Sequence, residues 1–502
     1  MRLPIPERIC LIIPPSAFLL DERVFVSLGI LKVAAVLEKT GTKVEMLDLS
    51  GVQNFTEAVA DHAKMTEAEV FGVTATTPQL PAATQIAQTI RETKPKARII
   101  IGGPHATLVN AAYKRERNRY INGRAGKAMR ILEKLFDVII AGDGEEAIFQ
   151  AFRENAPKLI DADDPESSLF LNQWRLNDLP FPARHLIDIS SYRYAIESLP
   201  ATSLIAQLGC PYACGFCGGR ESPTFRRVRI RTSENVVSEM IHLYKTHGYR
   251  GFMLYDDELN VNTQMIELME LIARAQKNLG VEWRLRGFIK AQLFTETQVK
   301  AMRRAGFRWI LTGFESGSPR ILKNINKKAT REENTRCIEI AKRNGLKVKA
   351  LMSIGHPGET LETIQDTYDW LLGVKPNDFD VSIITCYPGT PYYDYATPHR
   401  NLPDIWTYTY EKTGDCLHQV EVDYSQIADY YKGNPDGGYQ AYVFTDNLKS
   451  EDLVRERDRL EREIRKVLNI PFNPSASAIR YEHSMGQFGN RLPPNILKIT
   501  PS

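Results

Sequence analysis

The chain is most informative first for what it has little of. Seven cysteines in 502 residues are too few and too unevenly spread for a disulfide scaffold, and their usage fits a reducing compartment. Charge of one sign is nearly absent as an excess: 64 Lys and Arg against 61 Asp and Glu leave a net +3, so nothing global favours nucleic acid or an anionic membrane. No apolar run approaches the ~18 residues of a membrane span. The opening residues from Met1 to Arg8 are polar and broken by Pro4 and Pro6, which predicts no secretory leader and a cytoplasmic protein. What remains is an ordinary globular composition, 43% hydrophobic and 25% charged, long enough for two or three domains with their own cores.

Three of the seven cysteines are concentrated in eight residues. Cys210, Cys214 and Cys217 stand in Gly209-Cys-Pro-Tyr-Ala-Cys-Gly-Phe-Cys-Gly-Gly219, straight after the apolar run from Ser203 to Leu208. A four-iron cluster normally takes four thiolates. Three thiolates in a glycine-rich loop leave one metal position without a protein ligand, and an open position is one for chemistry. A structural zinc site would need a fourth ligand nearby, yet His185 and His242 lie well outside the loop. A disulfide would leave an odd thiol. Cys10, Cys337, Cys386 and Cys416 read as buried small hydrophobes.

The Cys-x3-Cys-x2-Cys spacing with Phe216 before the last cysteine resembles the radical S-adenosylmethionine enzymes. The resemblance implies that Cys210, Cys214 and Cys217 hold a 4Fe-4S cluster. It also implies that S-adenosylmethionine chelates the open iron, that Phe216 lies near the adenine, and that one electron cleaves the sulfonium to a 5′-deoxyadenosyl radical.

The first 150 residues alternate strand and helix patterns. Buried parallel strands are predicted at Ile9 to Ile13, Lys43 to Leu47, Val70 to Val73, Arg98 to Ile101 and Asp137 to Ile140. Helices fall between them, at Leu28 to Leu37, Phe55 to His62 and Ala82 to Arg91. This predicts a doubly wound, Rossmann-like sheet that binds its ligand outside the carboxyl ends of the strands. The turns there carry Gly and hydroxyl groups: Thr74 to Pro78, Gly102-Gly-Pro-His-Ala-Thr107, and Gly142-Asp-Gly-Glu-Glu146.

Those turns resemble the cobalamin-binding domain that precedes the catalytic domain in many radical S-adenosylmethionine enzymes. By that resemblance Thr74 and Thr76 match a hydroxyl turn and Gly102 and Gly103 the paired glycines that house the nucleotide tail, with His105, Gly142, Gly144 and Glu145 beside them. The Asp-x-His-x-x-Gly motif that gives cobalt a histidine in the methionine synthase type of domain is missing. Asp61-His62 has the wrong spacing, so no histidine is expected on cobalt, and His105 is expected to touch the tail or the backbone. The basic stretch from Lys114 to Lys134 reads as a solvated helix face.

Residues 151–195 form a connector without clear period, and Asn177 to Arg184 resembles the family's inter-domain linker. From Ser203 the alternation restarts. Six strands are predicted, at Ser203 to Leu208, Phe252 to Tyr255, Trp283 to Gly287, Trp309 to Gly313, Ala350 to Ile354 and Val381 to Thr385. With helices between them they suggest an open (β/α)6 barrel over 196–400, its site at the carboxyl ends. Asp257 and Glu258, Glu315 and Ser316, and Gly355 and Glu359 sit at such ends and are expected to contact S-adenosylmethionine, Glu315 and Asp257 first. Each alone also reads as a cap or turn residue.

From 401 to 502 the chain reads as an irregular C-terminal extension: residues 387–442 are tyrosine-rich, an amphipathic helix follows on Leu453, Leu460, Ile464 and Val467, and a proline-rich tail comes after Asn469. The resemblance implies a cobalamin-dependent methyltransferase that passes a methyl group through methylcobalamin to an unactivated carbon, or to phosphorus. The alternative is a cyclase, ring-contraction or rearrangement enzyme of the same type. Substrates expected are a small molecule or peptide, with an electron donor such as flavodoxin or ferredoxin. A sulfur-inserting enzyme would need a second cysteine set ahead of the first, and only Cys10 precedes Cys210. A non-enzymatic cobalamin or redox sensor would need none of the later turns.

Overall fold

The computed structural model describes residues 5–16, 22–120, 123–430, 439–471 and 496–501. Its first layer is a seven-stranded sheet. Strands β1 (Arg8–Ile13), β2 (Lys43–Asp48), β3 (Val70–Thr74), β4 (Arg98–Gly102), β5 (Val138–Gly142) and β6 (Leu159–Ala162) all run parallel. The predicted helices appear as Leu28–Lys39, Phe55–Met65 and Leu80–Thr93, joined by Pro104–Asn118, Arg124–Leu135 and Gly144–Ala151. Helices on both faces bury the apolar strands, which is why Ile9, Ile12, Ile99 and Ile101 read as continuous hydrophobic runs.

The second layer begins in β7 (Ala195–Ile196) and β8 (Leu199–Leu204). Next come the short pair β9 (Gln207–Leu208) and β10 (Arg229–Ile230), then β11 (Gly251–Leu254), β12 (Arg284–Phe288), β13 (Phe307–Glu315), β14 (Lys347–Ile354) and β15 (Asp378–Ile383). Strands β8 and β11 to β15 form the predicted six-stranded parallel half-barrel, with β7 added antiparallel at the β8 edge.

Three expectations need correction. The connector 151–195 is not structureless: β6 extends the first sheet, and Gln173–Asp178 is a short helix. Its sequence was too short and too polar to show a strand period. The predicted strand Ser203 to Leu208 breaks after Leu204, since Ala206 and Gln207 turn to give their backbone N–H groups to Asp256. The region after 400 is not irregular. It forms an antiparallel sheet of β16 (Thr397–Pro398), β17 (Ile405–Thr409), β18 (Cys416–Val420) and β19 (Val443–Phe444).

The predicted amphipathic helix is Ser450–Leu468. Leu453, Leu460 and Ile464 are buried, whereas Val467 faces solvent. Glu461 accepts the backbone N–H of Val381 at 2.7 Å and Arg457 donates to its carbonyl at 3.1 Å, so this helix covers the exposed edge of β15. A last strand, β20 (Leu497–Ile499), pairs antiparallel with β2. Most of the proline-rich tail, and Tyr431 of the tyrosine-rich region, lie outside the described residues.

Candidate functional site

The cysteine loop follows the first half-barrel strand and is held from within. Arg220, itself buried, donates to the carbonyls of Cys210 and Tyr212, both at 2.7 Å. Gly209 sits at φ +83°, where a Cβ would collide with the backbone of Arg227. Neighbouring turns hold the loop from outside. Gly215 donates to Ile325 O at 2.9 Å, Tyr392 N donates back to Gly215 O at 3.0 Å, and Gly219 N donates to Gly389 O at 3.0 Å. A side chain at Gly215 would strike the Tyr392 ring.

Cys214 is buried, while Cys210 and Cys217 are partly exposed, and all three are free thiols. Burial pushes the Cys217 thiol up to about 12 and raises Cys210, with Arg220 opposing both. Among the described residues, the set of three ligand groups within 4.8 Å of one another is Cys10, Glu45 and His62. Glu45 of that other set is already occupied by Arg8 at 2.8 Å, Thr66 at 2.7 Å and His62 at 2.9 Å. Cys10, Cys337 and Cys386 are buried as expected, but Cys416 is only half-buried on β18, sulfur against Thr409.

Facing the loop is a buried charge network that sequence reading only half found. Glu315 ends β13 at φ +66°, a conformation that costs a non-glycine residue of order 1–3 kcal/mol. Its carboxylate accepts Lys327 Nζ at 2.9 Å and Ser353 Oγ at 2.7 Å. Burial alone would raise this carboxylate, but the Lys327 charge and these two bonds outweigh it and hold it below the usual range. Ser353 in turn meets His356 Nε2 at 2.8 Å, and His356 packs edge-on to Phe216 with centroids 5.4 Å apart. Glu258 shares this space with Lys290 and Lys327; burial pushes it up to about 7 against their attraction. Lys290, 2% exposed, donates to Lys327 O at 3.1 Å and lies 4.0 Å from the Tyr212 ring centroid. Asp257, the chain neighbour of Glu258, is raised by burial against the opposing charge of Arg220.

The other expected residues at these ends are committed locally. Glu359 accepts the backbone N–H groups of Gly355 and His356 at 3.2 and 3.4 Å, and the Thr363 hydroxyl at 2.5 Å. Ser316 Oγ bonds Thr367 Oγ1 at 3.1 Å. Gly355 takes φ +89° in that turn. Lys290, Lys327, Ser353, His356, Tyr392 and Arg220 were not singled out from sequence, where a lysine reads as surface.

At the first sheet, Thr74 of β3 is opposite Gly102 of β4. A Cβ on Gly102 would have nothing nearer than Ile140 at 3.9 Å, so the strand end tolerates added bulk without a clash. Gly103, at φ +94°, lies so close that its Cβ would be 2.6 Å from Thr74 Oγ1. Thr76 spends its hydroxyl on Gln79 at 2.9 Å, capping the turn Thr77–Gln79. His105 is sealed in the interior with Nδ1 at 3.1 Å from Thr77 Oγ1, and burial lowers it to about 4, so it is neutral. Gly142 and Gly144 have packing reasons: a Cβ on the first would strike the Ala162 backbone, and one on the second would be 3.0 Å from Val33. Glu145, buried at the start of its helix, is raised by burial with Lys32 opposing.

The two sites touch. Leu108, in the helix that follows Gly103, packs where Cβ atoms on Gly218 and Gly389 would be 3.5 and 3.1 Å from its side chain. Asp163, fully buried after β6, accepts Ser222 Oγ at 2.6 Å and Thr224 N at 2.9 Å. Arg229 reaches Asp143 at 2.5 Å. The basic stretch is a solvated face only in part: Arg117, Arg119, Lys127, Arg130 and Lys134 are exposed as expected, but two of its arginines turn inward. Arg115 pairs with Glu221 at 3.0 Å, and Arg124 is buried, donating to Tyr393 O at 2.8 Å and Gln419 at 3.1 Å.

Family models match two segments: the B12 binding domain over residues 22–133 and the Radical SAM superfamily over residues 204–371. An uncharacterized methyltransferase of Pyrococcus horikoshii is 26% identical over 68% of this chain and 72% of its own length. The anaerobic magnesium-protoporphyrin IX monomethyl ester cyclase of Cereibacter sphaeroides is 26% identical over 70% of this chain and 57% of its own. Among solved structures, the radical S-adenosylmethionine methyltransferase TsrM of Kitasatospora setae, with cobalamin and a 4Fe-4S cluster bound, superposes with TM-score 0.66. That match covers 90% of this chain and 91% of that one at 18% identity, a likeness of fold. Among the described residues no helix is long and apolar enough to cross a membrane.

Proposed function

The chain belongs to the cobalamin-dependent radical S-adenosylmethionine enzymes, and on that footing we propose that it methylates an unactivated carbon, or a phosphorus, of a small molecule or peptide. The observation that carries this reading is the contact of Leu108 with Gly218 and Gly389, which sets the helix after the paired glycines directly against the cysteine loop. Bound at these two sites, the cofactors supply a hydrogen-abstracting adenosyl radical and a methyl carrier. The protein's own residues do the rest.

Cys210, Cys214 and Cys217 are the cluster ligands, and the loop bonds of Arg220 fix their spacing. Glu315, kept ionised by Lys327, offers a carboxylate for the ammonium of S-adenosylmethionine, and Phe216 an apolar wall for its adenine. Lys290 and Lys327 place two ammonium groups beside the loop, with burial and Lys327 lowering Lys290. Gly102 leaves the room, and Thr74 a hydroxyl, for the cobalamin tail. His105 is too enclosed to serve cobalt. The electron comes from a donor such as flavodoxin or ferredoxin, and the reaction is cytoplasmic.

Replacing Cys210, Cys214 and Cys217 by Ala should abolish the brown chromophore of the anaerobically reconstituted protein and the cleavage of S-adenosylmethionine; a triple variant that keeps both refutes the assignment. The cyclase relative keeps a second reading open, chemistry without methyl transfer. Turnover with methyl-labelled S-adenosylmethionine separates them. Labelled product, with S-adenosylhomocysteine and 5′-deoxyadenosine released, supports the methylase; rearranged unlabelled product supports the other.

A further inference from the structure

We propose that the cleft behind residues 319–332 is the docking face for an acidic one-electron donor protein; this rests on the cluster reading of the cysteine loop. The cleft, about 420 Å³, is lined by Lys323, Lys328, Arg331 and Lys412 against one lining carboxylate, Glu332. Lys323, Lys328 and Lys412 are exposed and Arg331 half-exposed. Among the described residues none of the four forms an ion pair, whereas nearby Arg320 is taken by Asp415 and Lys327 by Glu315. Glu333 and Glu411 flank the cleft, and the first is engaged with Thr330 as a helix cap. A concave surface carrying mostly one sign of charge attracts and orients a partner of the other sign.

The position of this cleft gives the charge its meaning. Asn326, in its lining, donates from its side-chain amide to Ala213 O at 2.9 Å, so one hydrogen bond and one peptide unit separate the cleft from Cys214. Its neighbour Ile325 accepts the backbone N–H of Gly215 at 2.9 Å. Leu322, also in the lining, belongs to a small apolar cluster with Ile321 and Ile325 against which Phe216 packs, next to Cys217. On another side the loop is covered by Leu108 of the first domain. A donor seated in the cleft is thus at the back of the loop, clear of the barrel mouth where substrate and S-adenosylmethionine bind. One electron passes from its reduced flavin, hydroquinone becoming semiquinone, to the oxidised cluster; no bond forms or breaks in the protein.

The test uses the reconstituted full-length holoenzyme and a fourfold variant, Lys323→Glu, Lys328→Glu, Arg331→Glu and Lys412→Glu, with an acidic flavodoxin hydroquinone as probe. Cluster bleaching is followed by stopped-flow absorbance and by the paramagnetic signal of the reduced cluster. Reduction by flavodoxin should slow roughly tenfold or more, and the wild-type rate should fall with added salt while the variant's does not. Reduction by dithionite should stay within about twofold of wild type, which shows an intact cluster. A variant reduced by flavodoxin at the wild-type rate overturns the docking face while leaving the cluster reading in place. Wild-type protein that takes up no cluster overturns the underlying reading instead.

Discussion

Asp256 is two residues before the carboxylate that shares space with Lys290, yet its role is different. Its Oδ1 accepts the backbone N–H of Ala206 at 2.7 Å and of Gln207 at 2.5 Å, and so sets the path by which the chain enters the cysteine loop. Burial pushes it up to about 7, against those two bonds, with Asp257 adding to the rise. A carboxyl raised in the folded state stabilises the protein most below its unfolded value, near 3.9, and that contribution is lost as pH rises through about 7. Asp256→Asn keeps an acceptor for both N–H groups and cannot ionise. Thermal unfolding between pH 5 and 9 should therefore show the wild type losing ground to the variant as pH rises. Parallel curves would sink the idea. Asp256→Ala leaves two buried donors unmet, at about 1–3 kcal/mol each. At this scale the cysteines and Glu315 were legible because their neighbours in sequence announce them. Lys290 and Lys327 were not, since only the folded chain brings a carboxylate or a ring to pay for burying a lysine.

The strand ends show a similar split at the scale of elements. The parallel strands were legible because both faces are buried and the apolar runs are continuous. β6 and the sheet from β16 to β19 were not: those strands are two to five residues long and alternate weakly. The glycines also separate by cause. Gly142 and Gly103 are required by the backbone and side chains around them, whereas a Cβ on Gly102 would make only an ordinary van der Waals contact with Ile140 at 3.9 Å. Gly102→Val should accordingly leave the melting temperature and cluster content near wild type, because a β-branched residue suits a strand end. If the cobalamin tail approaches this strand end, the same variant should lose most of its cobalamin, read from the visible spectrum after desalting. Full cobalamin retention in a folded Gly102→Val would remove the crevice from the site; a collapse in stability would contradict the open geometry.

For the whole molecule, the decisive feature is how the first domain is fastened to the half-barrel. Composition marked the Lys114 to Lys134 stretch as a wet helix face, because sequence records charge but not what the charge meets. The fold leaves Arg117, Arg119, Lys127, Arg130 and Lys134 exposed but turns Arg124 inward. Arg124 lies 3.9 Å from the Tyr393 ring centroid and 4.4 Å from that of Trp406, and it donates to Tyr393 O and Gln419 on the far side of the interface. Guanidinium stacking with hydrogen bonds to a carbonyl and an amide is a geometry a lysine cannot reproduce. The tyrosine-rich region thus works as the counterpart of a basic helix. Its sheet meets the first domain through Gln419 of β18, while Arg229 and Asp143 form a second tie between the domains. Arg124→Ala removes this clamp without touching the cysteine loop or the Gly102 turn. Both cofactors should still bind, and S-adenosylmethionine should still be cleaved. What should fall is the yield of methylated product per 5′-deoxyadenosine, because a substrate radical formed over a loosened first domain is no longer held against its methyl source. Chromatography of both products after single turnover measures that ratio. A variant with wild-type coupling would show that the remaining domain contacts, at Leu108, Asp163, Asp143 and Arg115, suffice, and that the arginine clamp serves stability only.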